Sequence, residues 1–147
     1  SGSSLNSWLE DPKKYLNTVS TYEISAKGSR LNSDLSLEVT TSNLKNSDDS
    51  SDIRLFVAAV MARVIYPGSF NGMYEHHNVV IEQLLGNSGK QIQYIANSNY
   101  MESFNWSIPQ SWKNNSEIRW SAGNLKIVVW IQDYRSKEIL QSAEFKF

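Results

Sequence analysis

The C-terminal stretch Asn124–Phe147 constrains the fold more than any other part of the chain, because its side chains alternate with a period of two in two runs. The alternate positions are Leu125, Ile127, Val129 and Ile131 in the first run, and Ile139, Gln141, Ala143, Phe145 and Phe147 in the second. Five residues, Asp133–Lys137, separate the runs, so the stretch predicts a β-hairpin. The remainder of the chain must supply the strands that cover this hairpin.

The two arms of the predicted hairpin differ in polarity. Val128 and Trp130 give the first arm apolar side chains on both faces, so we expect that arm to lie inside a sheet. The second arm keeps one polar face, which is formed by Ser142, Glu144 and Lys146. We therefore expect one face of the second arm to be in contact with water.

Further runs, some alternating and one continuously apolar, predict strands upstream of the hairpin. They span Thr18–Ala26, Leu35–Thr40, Ile53–Tyr66, Tyr74–Leu85, Gln91–Ala96 and Ser103–Ile108. Turn residues separate them at Lys27-Gly28-Ser29, Asn71-Gly72 and Asn97-Ser98-Asn99, and Trp112–Trp120 is predicted to be a polar loop. Seven or eight short strands with little helix predict an all-β fold, an antiparallel sandwich of the immunoglobulin-like type.

Two of these runs leave a helix open as an alternative. Ile53–Tyr66 is apolar on both faces, but its β-branched residues and the turn residues Pro67-Gly68 favour a long central strand. Tyr74–Leu85 fits a strand or a short helix. With 147 residues the chain is predicted to be one domain, in which residues 15–147 form the sandwich. Residues 1–14 are predicted to be a linker remnant that allows one helical turn before the first strand, and Pro12 opposes a longer helix.

Composition excludes several classes of function. The chain has 14 basic and 15 acidic residues, a formal net charge of −1 and no basic block, so we expect neither nucleic acid nor an anionic membrane surface as a partner. It has no cysteine, which excludes disulfides, thiolate metal sites and thiol nucleophiles. No apolar run approaches the roughly 18 residues that a membrane span requires, so no direct span is expected.

The only histidines lie together in Glu75-His76-His77, the one place where metal binding or acid-base chemistry could concentrate. Adjacent residues on a strand point to opposite faces, and a zinc site would have to recruit Glu82 or Asp133. The acidic stretch Asp48–Asp52 offers oxygen ligands for calcium but lacks the spacing of an EF-hand loop. We therefore predict no metal and no cofactor.

No catalytic residue is predicted either. The chain has no glycine-rich phosphate loop, no paired-carboxylate motif and no nucleophile elbow. A hydrolase that uses Glu75 and His76 is the weakest of the functions considered, because no nucleophile motif accompanies these residues. The chain is predicted not to be an enzyme.

Aromatic residues provide the candidate binding surface. Trp106 and Trp130 lie in alternating strands and are predicted to be core residues, whereas Trp112 and Trp120 flank a loop. The candidate binding residues are Trp112, Trp120, Tyr74 and His76. Amphipathic aromatic side chains of this kind are enriched at binding surfaces.

Three segments resemble the outer-membrane-protein-28-like family of Bacteroidetes. They are Tyr74–Val80 (YEHHNVV), Asn124–Asp133 (NLKIVVWIQD) and Lys137–Ala143 (KEILQSA). The resemblance extends over roughly Ile53–Ala143, and it implies a β-sandwich domain that follows a thioredoxin-like domain in a secreted or surface-attached protein. Ile81 stands where the family pattern has an arginine, and the acidic pair at the end of the preceding strand is absent. The resemblance therefore implies location and architecture, but no catalytic residues.

Taken together, the sequence predicts a non-enzymatic accessory or interaction domain of an exported bacterial protein at the cell surface, associated with the outer membrane, or secreted. The expected partner is a neighbouring domain of the same protein or a surface protein. The alternative is a carbohydrate- or peptide-binding module in which Trp112, Trp120 and Tyr74 form a stacking surface for a glycan or peptide.

Overall fold

The computed structural model describes residues 19–44, 52–94 and 99–147, and it is an eight-stranded antiparallel β-sandwich in this part of the chain. The strands are β1 (Tyr22–Leu31), β2 (Asp34–Asn43), β3 (Ile53–Ile65), β4 (Glu75–Gln83), β5 (Lys90–Gln91), β6 (Asn99–Ser107), β7 (Leu125–Asp133) and β8 (Ile139–Phe145). Helical structure is limited to α1 (Gln110–Lys113) and one 3₁₀ turn (Ala122–Asn124). The predicted all-β sandwich is confirmed, and the immunoglobulin-like connectivity stays a prediction.

The strands form two sheets. The first has three strands in the order β1-β2-β6, and the second has five, in the order β4-β3-β7-β8 with β5 also paired to β3. Strand β7 lies between β3 and β8, which confirms that the first arm of the C-terminal hairpin is inside a sheet. Both stretches for which a helix was an alternative, Ile53–Tyr66 and Tyr74–Leu85, contain strands instead.

The main core lies between the two sheets and is built from alternate residues of β2, β3 and β7, together with Ile92 after β5. Its buried members are Leu35, Leu37, Val39, Ile53, Leu55, Val57, Ala59, Ile92, Leu125, Ile127, Val129 and Ile131. Burying each large aliphatic side chain stabilises the fold by about 1.5–3 kcal/mol. A second, smaller cluster is formed by Met61, Val64 and Ile108 towards one end of the sandwich.

Strand β3 is buried on both faces from Leu55 to Met61, as its apolar sequence predicts. On its outer face the ring of Phe56 stacks on that of Trp130, with centroids 4.9 Å apart and planes 4° from parallel. The loop after β4 closes over Phe56 at Gly89, where an added Cβ would lie 2.8 Å from the ring. Aromatic rings and a loop therefore cover the side of β3 that the other sheet does not reach.

The first predicted turn was wrong. The β1–β2 hairpin turns at Asn32-Ser33, where Asn32 has a φ of 56°, and Lys27-Gly28-Ser29 lies within β1. Gly28 is opposite Leu37, and a Cβ there would lie 2.8 Å from the Ser36 carbonyl oxygen and 2.9 Å from the Phe147 ring. The glycine serves close packing against a distant part of the chain, which local sequence does not reveal.

The two strands predicted around the Asn97-Ser98-Asn99 turn, Gln91–Ala96 and Ser103–Ile108, are not neighbours in one sheet. Strand β5 pairs with β3 in one sheet, whereas β6 pairs with β2 in the other, so the chain crosses between sheets here. Residues 92–94 are not in a strand, and the predicted turn at 97–99 lies largely outside the described residues.

The stretch Trp112–Trp120, predicted to be a polar loop, begins within helix α1 and ends next to β3. Two backbone hydrogen bonds of 2.9 and 2.8 Å join Ile65 and Arg119 and hold the stretch against the end of β3. The predicted boundary between residues 14 and 15 lies outside the described residues. No helix in the described ranges is both long enough and apolar enough to span a bilayer.

Candidate functional site

Three connections meet at one end of the sandwich, which we call the loop end: the β1–β2 turn, the β3–β4 loop Tyr66–Tyr74, and the segment Ile108–Asn124. The amide of Ile108 donates to the Ser33 carbonyl at 3.0 Å, and the Arg30 guanidinium donates to the Ala122 carbonyl. All four candidate binding residues lie at this end, on the Tyr66–Tyr74 loop, at the start of β4, or in Ile108–Asn124.

The Tyr66–Tyr74 loop is closed by hydrogen bonds within itself. The Tyr66 amide donates to the Tyr74 carbonyl at 2.7 Å, and the Gly72 amide donates to the Ser69 carbonyl at 3.1 Å. The Asn71 side chain accepts from the Met73 amide at 3.0 Å, and Gly72 takes a φ of 72° that suits glycine. Turn chemistry therefore gives the loop a definite shape without a hydrophobic core of its own.

Three large apolar side chains project from this loop into solvent. Phe70 is 106% exposed, Tyr74 is 65% exposed and Met73 is 56% exposed. Of these, sequence reasoning identified only Tyr74. Phe70 and Met73 stand between or beside the turn residues Pro67-Gly68 and Asn71-Gly72. Their position near these turns could have indicated their exposure, because a residue that belongs to no strand is not held against the core.

Trp112 and Trp120 are half-buried rather than displayed on the surface. Both pack against the second cluster of Met61, Val64 and Ile108. The indole N–H of Trp120 donates to the Trp112 carbonyl at 3.2 Å, which holds the two residues together. Their rings close the loop end of the sandwich, while Tyr74 lies on the projecting loop.

The Glu75 carboxylate binds two basic side chains on the surface. The Arg63 guanidinium binds it through two contacts, at 2.8 and 3.0 Å, and His77 Nε2 lies 3.0 Å from Glu75 Oε1. The hydrogen bond from Arg63 holds the pKa of Glu75 below its usual value, and Glu75 in turn raises the pKa of Arg63. These three residues form an exposed polar cluster at the base of the loop.

His76 lies in different surroundings from His77. Its Nε2 atom is buried and has no hydrogen-bond partner among the described residues, whereas the His77 side chain is 62% exposed. The described ranges contain no group of three or more acidic, histidine or cysteine side chains that could hold a metal ion. The two histidines are not brought together with Glu82 or Asp133.

The alternation of faces along β4 breaks at Asn78, which takes a φ of 55° inside the strand. Val79 packs against the second cluster, but His77, two residues earlier, is exposed. In a regular strand these two side chains would share one face. The left-handed residue therefore directs Glu75 and His77 to the solvent and leaves His76 partly buried.

Most of the acidic stretch Asp48–Asp52 lies outside the described residues. Asp52 accepts two hydrogen bonds from the Arg54 guanidinium, at 3.0 and 2.9 Å. These bonds lower the pKa of Asp52 below its usual value. Arg54 also lies over the Tyr134 ring, with its guanidinium carbon 3.7 Å from the ring centre. This carboxylate is engaged by a cation of the protein itself.

Two further polar groups lie near the core at the opposite end. The Tyr94 hydroxyl donates to the fully buried Thr41 hydroxyl at 2.8 Å, and burial raises the pKa of Tyr94 to about 12. Glu102 accepts from Lys90 at 2.6 Å and from Tyr100 at 2.5 Å, and the bond to Glu102 raises the pKa of Lys90 to about 12. The first bond satisfies a buried hydroxyl, whereas the second arrangement pairs a lysine side chain that is 48% exposed with a carboxylate that is 19% exposed.

A shallow cleft of about 430 Å³ lies along β1 beside β8. Its described lining is mostly hydroxyl and amide side chains, and Glu23 is the one ionisable residue in it. None of the candidate residues from the sequence lines this cleft. Hydroxyl and amide groups with a single carboxylate offer hydrogen bonds, but they do not provide an acid and a base together.

A scan against protein-family models finds no match, and no curated protein sequence matches the chain. Among solved structures, the chain is similar to a domain of the outer membrane lipoprotein Omp28 from Porphyromonas gingivalis. The TM-score is 0.59 at 13% sequence identity, and the alignment covers 88% of this chain and 90% of that chain. At this identity the likeness shows a shared fold, and it agrees with the resemblance carried by the strand motifs.

Proposed function

We propose that the chain is a non-enzymatic β-sandwich domain of an exported bacterial protein that is associated with the cell surface or the outer membrane. We further propose that it acts by contact, through the Tyr66–Tyr74 loop at the loop end of the sandwich. Support for the location comes from the fold shared with a domain of an outer membrane lipoprotein, together with the resemblance of the strand motifs.

The observation that carries the contact role is the exposure of Phe70, Met73 and Tyr74 on one ordered loop. Exposed apolar side chains are common singly, but a group of them on a hydrogen-bonded loop is typical of an interaction site. Solvation of these side chains costs free energy that burial in a partner would recover. These three side chains therefore contribute little to the core and are available for binding.

A non-enzymatic role has separate support from the polar groups. The carboxylates Asp52, Glu75 and Glu102, whose pKa values are lowered, are each engaged by a neighbouring cation. None of them lines the described cleft. Functional acid or base groups usually combine a shifted pKa with a position in a cleft.

The glycan- or peptide-binding alternative depends on stacking by Trp112, Trp120 and Tyr74. Only Tyr74 is exposed, and the two tryptophans pack against the second cluster. A stacking platform needs an accessible ring face, so this alternative has less support than contact by the loop.

The test is photo-crosslinking of the full-length protein in its bacterial host. A photoreactive phenylalanine analogue replaces Phe70 in one variant and Met101, which is 62% exposed on β6, in the control variant. We expect the protein in the cell envelope fraction and a crosslinked product that forms from position 70 alone. A cytoplasmic location would contradict the proposed function, as would equal crosslinking from both positions.

A further inference from the structure

We propose that the partner of the Tyr66–Tyr74 loop is the interfacial region of a lipid bilayer, into which Phe70, Met73 and Tyr74 insert. The inference rests on the contact role proposed above and names the partner of the same site. It differs from the partner expected from sequence, which was a neighbouring domain or a surface protein.

The first argument is the absence of charge. No residue from Tyr66 to Tyr74 is acidic, basic or histidine, in a chain of which 20% of the residues are charged. The nearest charges along the chain, Arg63 and Glu75, bind each other at 2.8 and 3.0 Å. Removing an unpaired charge from water is costly, and the loop can leave water without that cost.

The second argument concerns the polar backbone of the loop. The amides of Tyr66, Ser69 and Gly72 donate to carbonyl groups within the loop, and the Met73 amide donates to the Asn71 side chain. Backbone groups without partners oppose entry into an apolar medium, and these four amides have partners already. These hydrogen bonds satisfy four of the eight backbone amides of the loop and so lower the cost of shallow insertion.

The third argument concerns residue type and area. Aromatic residues with a polar atom, such as tyrosine, are enriched where a membrane meets water, and amphipathic elements bury their apolar side about 5–10 Å deep. The three side chains present roughly 400 Å² of apolar surface. That is about half of what one partner contributes to a standard protein interface, whereas insertion into lipid needs no matching surface. A projecting tip with Phe70 at full exposure therefore fits a lipid interface best.

The test is flotation of the chain with vesicles of pure phosphatidylcholine, which carry no net charge. We expect the wild-type chain to float with the vesicles, and the amount bound to be insensitive to salt because the loop is uncharged. Phe70→Ser should lower the partition coefficient about tenfold, since a buried phenyl ring contributes roughly that factor. Met101→Ser removes an apolar side chain of β6 that is 62% exposed and lies away from the loop, and this variant should bind as wild type.

A second measurement places the loop in the bilayer. Because the chain has no cysteine, Phe70→Cys and Met101→Cys each give one site for an environment-sensitive dye. Addition of vesicles should shift the emission of the dye at position 70 to the blue and leave the dye at position 101 unchanged. Both substitutions are on exposed side chains, so the variants are expected to fold.

Several results would overturn the inference: no flotation of the wild-type chain, equal flotation of Phe70→Ser, or binding that requires anionic lipid and disappears with salt. Self-association through the loop in the absence of lipid would also overturn it, in favour of a second copy as the occupant. An envelope location and crosslinking from position 70 to a protein, without flotation, would refute the lipid partner and leave the proposed function standing. A cytoplasmic location would refute the function itself.

Discussion

Two glycines in the loop after β4 take the same backbone conformation in different surroundings. Gly86 has a φ of 73° and Gly89 a φ of 64°. An added Cβ at Gly86 would meet no atom within 4 Å, whereas at Gly89 it would lie 2.8 Å from both the Leu55 carbonyl oxygen and the Phe56 ring. Substitution of Gly86 would therefore test backbone strain alone, whereas substitution of Gly89 would test the same strain together with steric overlap.

We predict that Gly86→Ala lowers the free energy of unfolding by about 1 kcal/mol, from the left-handed backbone alone. Gly89→Ala should cost roughly 2–4 kcal/mol, because overlap with Leu55 and Phe56 is added to the same strain. Urea denaturation of both variants at neutral pH measures the difference. Equal costs would mean that the Gly89 loop moves away from β3 without loss.

We predict that the buried hydroxyl of Tyr94 makes the protein less stable at alkaline pH. Burial raises the pKa of its hydroxyl from 10.0 to about 12, so the folded protein keeps a proton that the unfolded chain has released. Stability from this group is therefore intact below pH 10 and is lost as the pH rises towards 12. Unfolding midpoints between pH 8 and 12 should fall less steeply in Tyr94→Phe than in wild type. Identical slopes would assign the alkaline loss to other groups.

At the scale of single elements, β4 depends on one residue with an unusual backbone. Asn78 breaks the alternation of the strand and thereby separates the exposed His77 from the packed Val79. Asparagine tolerates the left-handed region better than β-branched residues do. The break also interrupts the edge of the five-stranded sheet, and irregular edges discourage pairing with other chains.

We predict that Asn78→Val lowers the free energy of unfolding by about 1–2 kcal/mol, because a β-branched residue opposes a φ of 55°. Asn78→Gly should cost little, since glycine adopts this conformation freely. Thermal or urea unfolding of the two variants gives the comparison. If Asn78→Val were as stable as Asn78→Gly, the left-handed conformation would not be required at this position.

Elements differ in how far sequence predicts them. The β7–β8 hairpin was predicted closely, because its alternation and its connecting residues are adjacent in the chain. The β1–β2 turn was predicted at Gly28, whereas it lies at Asn32-Ser33. The prediction failed because this glycine is required for close packing against the distant Phe147 and not for a turn. Strands β5 and β6 were predicted on either side of one turn, but they belong to different sheets. Strand β5 pairs with β3 and β6 pairs with β2, and these pairings are not visible in the local sequence.

At the scale of the whole molecule, the two sheets share one core and are linked at one side. The Ser20 hydroxyl donates to the Leu140 carbonyl at 2.9 Å, and the side-chain Nε2 of Gln141 donates to the Tyr22 carbonyl at 3.1 Å. These bonds join the β1 side of one sheet to the β8 side of the other. Core side chains of β2 from the first sheet pack against those of β3 and β7 from the second.

We predict that the described fold unfolds in one cooperative step, because neither sheet can keep its apolar face without the other. Far-UV circular dichroism reports both sheets, and tryptophan fluorescence reports Trp130 together with the residues around the second cluster. The two urea transitions should coincide in midpoint and in slope. Separate midpoints would indicate that the sheets, or the loop end, unfold independently.

The candidate site was predictable only in part. Tyr74 was identified from its aromatic ring, but the grouping with Phe70 and Met73 became visible once the loop was seen to project from the sandwich. Trp112 and Trp120 looked like surface residues in the sequence, yet both pack against Met61, Val64 and Ile108. The solvent exposure of a loop side chain depends on which distant residues pack over it, so the sequence of the loop alone does not predict it.

By itself the sequence determined the fold class and the central position of β7, and it favoured a long buried strand at β3, because a period of two and continuous apolar composition are local properties of neighbouring side chains. Only the tertiary structure decided which sheet each strand joins, why Gly28 is a glycine, and which apolar residues remain in water. These features depend on contacts between residues that are far apart in the chain. The free energies of such contacts cannot be read from a local sequence pattern.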